Sequence, residues 1–177
     1  YKTPRAYYNN ALAYSDDNEA LNLLDNIAHI YAQTGYYDSA FYFFKKSYDR
    51  LHKGFTEADL LKDDDAFLNG KITEYVTDML LDKASAFLSE YKISGNQKYL
   101  NESLHIYEST DRFFDKLKIS QSALPSPFFW PTPNKRLYEQ AVEACYVSQN
   151  IEKAFYFFEK NRSVLLNNQI ALETRID

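Results

Sequence analysis

The 177-residue chain is 25% charged and 45% hydrophobic, which is ordinary for a folded domain. Its net charge of −5, with no run of Lys or Arg, argues against nucleic acid or an anionic membrane as a partner. No apolar run reaches the roughly 18–20 residues that span a bilayer. Glycine (4) and proline (5) are scarce, so the chain has few breakers and is predicted to be mostly helical.

The chain begins with Tyr1 and not with Met, and it carries no signal peptide. We therefore expect a piece of a longer, cytoplasmic protein, and a targeting segment removed from that protein stays an open alternative. The single cysteine, Cys145, cannot form an internal disulfide, which is compatible with a reducing compartment.

A first helix hairpin is predicted over residues 20–54. Leu24 and Ile27 begin an apolar series that lies on one helical face. Gly35 follows that series and is a natural helix stop. A second helix is therefore expected to start near Asp38.

The second helix contains the block AFYFF at 40–44, which occurs again, letter for letter, at 154–158. Five bulky or apolar residues in a row are too many for one face of a surface helix. We therefore expect this helix to pack against more than one neighbour, as it would in a helical array. Within the first block, the expected orientations are Ala40, Phe41 and Phe44 towards the partner helix, Phe43 towards the next hairpin and Tyr42 towards solvent.

A longer and less regular hairpin is predicted over 72–118. Ala84 lies in its first helix, the turn falls at Gly95, and Ser103 and Tyr107 repeat the spacing of a small residue followed by an aromatic one. Its first helix is expected to be longer than a regular repeat allows, by about two turns.

An irregular connector is predicted over 119–134, because four of the five prolines and the only Trp lie there or at its edges. We expect its aromatic residues to pack it down, and a docking loop is the alternative. The last hairpin is predicted over 135–172, with Ala154 at its close helix contact. Gln149 stands where the turn glycine would be, and the neighbouring Asn150 is able to take a left-handed conformation.

These spacings closely resemble the tetratricopeptide (TPR) repeat. The matching residues are Leu24, Ile27, Ala28, Tyr31, Gly35, Tyr37, Ala40, Phe44 and Ser47, of which Ala28 and Ser47 depart from the Gly and Ala of the family. The resemblance implies a single all-α domain, 1–177, that forms a right-handed TPR-like solenoid of antiparallel helix hairpins with one degenerate, elongated middle repeat. Its predicted segments are a partial repeat (1–18), a repeat (20–54), the degenerate repeat (72–118), the connector (119–134) and a last repeat (135–172).

Roughly residues 20–172 are also similar to the TPR region of bacterial CHAT-domain proteins. The matches are Leu80, Lys83, Ala84, Tyr99, Leu100, Ser103, Leu104, Tyr107, Ala154, Phe155, Glu159, Lys160, Arg162 and Leu166. A caspase-like peptidase domain usually follows in that family, and no such domain is found in this chain. The resemblance therefore implies a regulatory or recognition arm and not a protease, and it makes a C-terminal peptidase-like domain of the same parent chain a candidate partner.

TPR arrays bind peptides on the concave surface lined by their first helices, so the resemblance implies a partner-binding groove here. The residues at the groove positions are Asn22, Asp25, Asn26, His29, Asp78, Leu81, Asp82, Ser85, Arg136, Glu139, Gln140 and Glu143. The Lys, Asn and Arg set with which some TPR domains clamp a carboxylate is absent from these positions. Five carboxylates against one Arg predict a negative potential that favours a basic segment, and the alternative is that these acids are merely solvated.

No catalytic, metal-binding or cofactor-binding residue is predicted. The sequence has no zinc-ligand spacing and no Gly-rich phosphate loop. We expect Cys145 to be a core thiol and Asp63–Asp65 to be a solvated helix cap. The predicted function is a non-catalytic interaction or regulatory scaffold that binds a peptide, a partner protein or an adjacent domain. The alternatives are a helical enzyme or metal protein that uses those residues, and a purely structural spacer or dimerisation module.

Overall fold

A computed structural model of the chain describes residues 17–51, 53–62, 70–121 and 131–173, and in these ranges it is helical, with no strand. The helices are α1 (Asp17–Gln33), α2 (Tyr37–Leu51), a 3-10 helix (Glu57–Leu61), α3 (Gly70–Ser94), α4 (Gln97–Gln121), α5 (Pro131–Val147) and α6 (Ile151–Glu173). The predicted all-α class is confirmed for the described ranges. The predicted partial repeat at 1–18 lies almost wholly outside them, and the acidic run 63–65 lies wholly outside.

The six α-helices form three hairpins in chain order. The most extensive contacts join α1 to α2, α3 to α4, and α5 to α6. In addition, α3 contacts both helices of the first hairpin, and α5 contacts both helices of the second. Consecutive hairpins therefore pack against each other, and the three leading helices α1, α3 and α5 lie side by side.

The turns of the first and third hairpins share one hydrogen-bonding pattern. In the first, the N–H of Tyr36 donates to the carbonyl of Tyr31 (2.9 Å), across a Gly35 whose φ is 80°. In the third, the N–H of Asn150 donates to the carbonyl of Cys145 (2.9 Å). Both are six-residue closures of the kind that end helices with a left-handed residue.

The left-handed residue of the third turn is Gln149, with φ 59°, so the expectation that Asn150 would take this conformation is wrong. The side chain of Asn150 has another role. Its Oδ1 accepts a hydrogen bond from the N–H of Lys153 (3.0 Å) and thereby caps the start of α6. Asn is one of the best residues for that position, which explains why the left-handed geometry falls one residue earlier.

One main apolar core runs through all three hairpins, and a smaller cluster lies between the first hairpin and α3. The main core includes Leu21 of α1, Tyr48 of α2, Leu81 of α3, Tyr107 of α4 and Phe157 of α6. The smaller cluster is built from Ala28, Ala40, Phe44 and Ala86. Because the main core is shared between hairpins, no single hairpin buries its own apolar face completely.

Small polar side chains mark close helix contacts in two of the hairpins. The hydroxyl of Ser47 donates to the carbonyl of Leu21 (2.9 Å), and that of Ser103 donates to the carbonyl of Ala84 (2.8 Å). Ser47 and Ser103 are fully buried, as is Ala40. Such bonds need two helix backbones close together, which small side chains permit. The third expected contact, Ala154, is half-buried and packs against the main core.

The first AFYFF block is buried on two sides, as expected, but two phenylalanines have exchanged the predicted roles. Phe43 stacks on Tyr31 of its own hairpin, with ring centroids 5.4 Å apart. Phe41 instead stacks on Phe87 of the next hairpin at 4.3 Å. Tyr42 is 54% exposed, which confirms it as the most exposed of the five.

The second AFYFF block has a different environment although its letters are the same. Phe157 is buried, whereas Phe155 and Phe158 are more than half exposed. Phe158, which stands where Phe44 stands in the first block, is therefore not buried as Phe44 is. The physical reason is the closeness of the neighbours: α2 packs against α1 and α3, whereas among the described helices the backbone of α6 has extensive contact with α5 alone and meets α4 through long polar side chains.

The middle hairpin is longer than the others, as predicted, because α3 and α4 each have 25 residues against 17 in α1 and α5. The predicted connector is too long at both ends. Residues 119–121 continue α4, and 131–134 form the first turn of α5. Proline is tolerated at Pro131 and Pro133 because the first-turn N–H groups of a helix have no intrahelical acceptor. The remaining connector, 122–130, lies outside the described residues.

Candidate partner-binding surface

The predicted groove residues lie on the three leading helices, which the fold places side by side. We call the face formed by these residues of α1, α3 and α5 the leading-helix surface. Its centre is Asp82 of α3, which links all three helices. The guanidinium of Arg136 on α5 donates to Asp82, and Nδ1 of His29 on α1 lies 3.2 Å from Oδ2 of the same carboxylate. Asp82 and Arg136, which are 54 residues apart in the sequence, thus lie with His29 in one charged cluster.

Asp78 lies one helical turn before Asp82 and is the more exposed member of the pair. Its Oδ1 is 3.7 Å from Nη1 of Arg136, and its side chain is 49% exposed against 11% for Asp82. Burial, opposed by Arg136 and reinforced by Asp82 and Glu74, raises the pKa of Asp78. The single guanidinium of Arg136 therefore serves two carboxylates and does not fully offset the charge around Asp78.

Asp25 is the unusual member of the cluster. It was predicted to line an open groove, but only 4% of it is exposed, and its Oδ1 accepts no hydrogen bond from the described part of the chain. Burial, and next the negative charges of Asp82 and Asp78, raise the pKa of Asp25 well above its ordinary value, with Arg136 opposing. A carboxyl group in these surroundings destabilises the folded chain when it ionises.

The remaining predicted groove residues have local partners or lie in the core. Nδ2 of Asn26 donates to Oδ1 of Asn22 (3.3 Å), and Glu139 is 3.7 Å from Lys135 on the same helix. Glu143 of α5 pairs with Lys92 of α3, and Gln140 is half-buried with an Oε1 that accepts no hydrogen bond from any described residue. Ser85 is half-buried. Leu81 is fully buried in the main core, so its placement in the groove is wrong.

A second polar network, which the sequence analysis missed, joins the trailing helices α4 and α6. Three pairs cross between them, and each spans 45 residues of sequence: Lys153 with Glu108, Tyr156 with Asp111 (2.7 Å) and Lys160 with Asp115 (2.7 Å). A constant separation means that the two helices run in the same direction. The matched spacings of 108, 111 and 115 with 153, 156 and 160 were a signal of this pairing.

Asp111 is the buried centre of that network and is fully satisfied. The hydroxyl of Tyr138 donates to its Oδ1 (3.0 Å), the hydroxyl of Tyr156 donates to its Oδ2, and Nζ of Lys160 is 3.3 Å from Oδ1. Only 3% of Asp111 is exposed. This carboxylate holds α4, α5 and α6 together, in contrast to Asp25, whose Oδ1 accepts no hydrogen bond from a described residue.

The 3-10 helix is held to the hairpins by a half-buried ion pair that the sequence analysis also missed. Nζ of Lys83 is 2.8 Å from Oε1 of Glu57, and the hydroxyl of Tyr48 donates to the same oxygen (2.9 Å). The ammonium lies 4.0 Å from the centroid of the Tyr48 ring. Burial raises the pKa of Glu57, but the charge and hydrogen bond of Lys83 outweigh burial and hold it below its ordinary value.

Of the residues considered for chemistry, the structure describes Cys145, whereas Asp63–Asp65 lie outside the described residues. Cys145 is fully buried, and burial raises the pKa of its thiol to about 11, with Lys153 and Glu108 as its charged neighbours. A thiol that stays protonated is a poor nucleophile. Within the described ranges, no three His, Cys, Asp or Glu side chains come close enough together to hold a metal ion.

The outer face of α6 is a second, apolar surface. Ile151, Phe155, Phe158 and Leu165 follow one another at helical spacing, and each is about half exposed or more. They lie on a different face of α6 from the buried Phe157. Exposed apolar stripes of this kind are typical of contacts with further protein.

In the described part of the chain, no helix has the length and apolar character needed to cross a bilayer. Comparisons of the chain with protein-family models, with curated proteins and with solved structures found no match.

Proposed function

We propose that this chain is a non-catalytic interaction module, a right-handed TPR-like solenoid whose leading-helix surface binds a peptide or an extended segment of another protein. The segment belongs either to a separate partner or to an adjacent domain of the same parent chain. The observation that carries the proposal is the side-by-side packing of α1, α3 and α5, which brings polar and charged side chains from three hairpins onto one face. A face of this kind suits a ligand that crosses several helices.

The charge of this face favours a basic segment. Asp25, Asp78, Asp82, Glu139 and Glu143 contribute carboxylates, while Arg136 is the one Lys or Arg among the predicted groove residues. Complementary charge speeds encounter with a partner and excludes like-charged competitors. Lys92 and Lys135 pair with two of these acids, which leaves the excess negative charge concentrated around Asp78 and Asp82.

The test is selection of binding peptides from a displayed library of random 12-residue peptides, with the intact chain as bait. Affinities of the selected peptides are then measured by fluorescence anisotropy. We expect Asp78→Lys to weaken binding at least about tenfold, which corresponds to about 1.4 kcal/mol. The matched control is Glu152→Lys, an equal charge reversal at an exposed site on α6. Equal effects of the two reversals would contradict the proposal.

An enzyme or metal protein is the alternative from another class. Elemental analysis of the purified chain and thiol labelling under native conditions distinguish it from the interaction module. Stoichiometric bound metal, or labelling of Cys145 at the rate of an exposed thiol, would support this alternative and count against our proposal.

The apolar outer face of α6 favours a second candidate function, self-association through that face. Sedimentation velocity tests it. A concentration-dependent dimer that Phe155→Ser with Phe158→Ser converts to a monomer would support a dimerisation module. A monomer at all concentrations would leave this function without support.

A further inference from the structure

The central part of the leading-helix surface contains more carboxylates than cations. Asp25, Asp78 and Asp82 surround a single guanidinium, that of Arg136. Arg136 hydrogen-bonds Asp82 and lies 3.7 Å from Asp78, and no ion pair or hydrogen bond joins it to Asp25. His29 also directs its Nδ1 to Asp82. The available donors therefore converge on Asp82, and Asp25 receives none of them.

Asp25 is an acceptor that the fold has buried without a donor. Its Oδ1 accepts no hydrogen bond within the described chain, although only 4% of the residue is exposed. The Oε1 of Gln140, one turn beyond Arg136 on α5, is a second buried acceptor on the same surface to which no described residue donates. Buried polar atoms in folded proteins nearly always have partners, so two such atoms on one candidate surface point to donors supplied by a ligand.

The cluster has both accessible and buried members. Asp78 and Arg136 are the more accessible members, with side chains 49% and 33% exposed, while Asp82 and Asp25 lie deeper. A ligand group that contacts both the accessible Asp78 and the buried Asp25 needs a slender stem and N–H donors at its tip. The side chains of lysine and arginine have this form, with a narrow apolar stem and a cationic end.

We propose that Asp25, Asp78 and Asp82 form a subsite for one lysine or arginine side chain of the bound peptide, whose cationic end donates to Oδ1 of Asp25. This inference rests on the proposed peptide-binding function and assigns the ligand side chain for that surface. A charge-assisted hydrogen bond to a carboxylate is about twice as strong as a neutral one, which makes Asp25 the most selective contact of the surface.

The experiment uses blocked tripeptides as probes and the intact chain labelled for carbon NMR. Ac-Gly-Lys-Gly-NH₂ and Ac-Gly-Arg-Gly-NH₂ are titrated against the side-chain carboxyl signals of Asp25, Asp78 and Asp82, with Ac-Gly-Gln-Gly-NH₂ as the neutral probe. We expect saturable shifts of all three signals with the two basic probes and none with the neutral probe. Asp25→Asn should weaken binding of the basic probes at least about tenfold, whereas Glu152→Gln, the same change at an exposed site on α6, should leave it unaltered.

Three results would overturn the subsite. The neutral probe could shift the same signals as strongly as the basic ones. Asp25→Asn could bind the lysine probe as tightly as the unaltered chain, with circular dichroism showing that both are folded. Mg²⁺ or Ca²⁺ could shift the three carboxyl signals saturably and displace the lysine probe, which would make the cluster a metal site.

The peptides selected from the library separate this inference from the proposed function. Selected peptides that lack Lys and Arg, or that ignore Asp25→Asn but respond to Asp78→Lys, would refute the basic-residue subsite and leave peptide binding intact. If no peptide is selected but the lysine probe still binds saturably through Asp25, the cationic subsite is supported and the proposed peptide function fails.

Discussion

Replacement of Gln149 by glycine should stabilise the fold, because the third hairpin turn uses a left-handed backbone conformation at a residue that carries a Cβ atom. The φ angle of Gln149 is 59°, and Gly35 at the equivalent turn has φ 80°. Each of these residues is the last but one in the six-residue closure that ends the leading helix of its hairpin. The side chain of Gln149 is exposed and forms no hydrogen bond with a described residue, so its removal breaks no hydrogen bond within the described ranges.

The magnitude follows from two opposing terms. A left-handed conformation costs a residue with a Cβ about 1–2 kcal/mol. Glycine removes that cost but loses about 0.5–1 kcal/mol more conformational entropy on folding. Gln149→Gly should therefore raise the free energy of unfolding by about 0.5–1 kcal/mol, which raises Tm by about 1–4 °C for a chain of this length.

The reciprocal substitution tests the same physics at the first turn. A Cβ added at Gly35 would meet no atom within 4 Å, so the cost of Gly35→Ala is the backbone cost alone. We expect a loss of about 0.5–1 kcal/mol by the same two terms. Urea unfolding followed by circular dichroism measures each change, and Gln149→Ala is the control because alanine keeps the Cβ. If Gln149→Ala stabilised the chain as much as Gln149→Gly, the left-handed strain would not be the cause.

Three further predictions concern packing and buried charge. Ala40→Trp should lower the free energy of unfolding by at least about 1–3 kcal/mol by over-packing a close helix contact, whereas Tyr42→Ala should change it by no more than about 0.5 kcal/mol. Thermal melts that show the reverse order of stability would refute the packing of α2. Burial and the charges of neighbouring carboxylates raise the pKa of Asp25 in the folded chain. The folded chain therefore binds the proton of Asp25 more tightly than the unfolded chain does. The free energy of unfolding should fall as the pH rises from about 4, the ordinary pKa of an aspartate, to the raised pKa of the folded chain, and it should stay lower above that pH. Asp25→Asn should remove this decline and stabilise the chain at neutral pH, and urea unfolding from pH 3 to pH 8 that shows the same decline in both proteins would contradict it. Asp111→Ala should lower the free energy of unfolding by about 3–5 kcal/mol, because it leaves the Tyr138 hydroxyl buried without its acceptor and breaks a buried pair. Asp115→Ala, at a 45% exposed side chain, should lower it by about 0–1 kcal/mol. Similar losses for the two variants in urea unfolding would show that Asp111 is not the centre of the network.

Local patterns in the sequence were enough to predict the helices and most of their turns. Apolar spacing before Gly35 located α1, and the left-handed φ of 80° confirms the helix stop at that residue. The same reasoning located the extended middle hairpin and the close contacts at Ser103 and Ala40. These features depend on the spacing of apolar residues and on the steric freedom of a single residue, and both properties are present in a short stretch of sequence.

Only the tertiary structure decided what each face of those helices touches. The two AFYFF blocks are identical, yet Phe44 is buried and Phe158 is 54% exposed. The reason is that α2 packs closely against two helices, whereas among the described helices the backbone of α6 has extensive contact with α5 alone and meets α4 through long polar side chains. In the same way, nothing local distinguishes the buried Asp25 from the exposed Asp78. The burial and pKa of a carboxyl group depend on residues that are distant in sequence and adjacent only after the hairpins have packed.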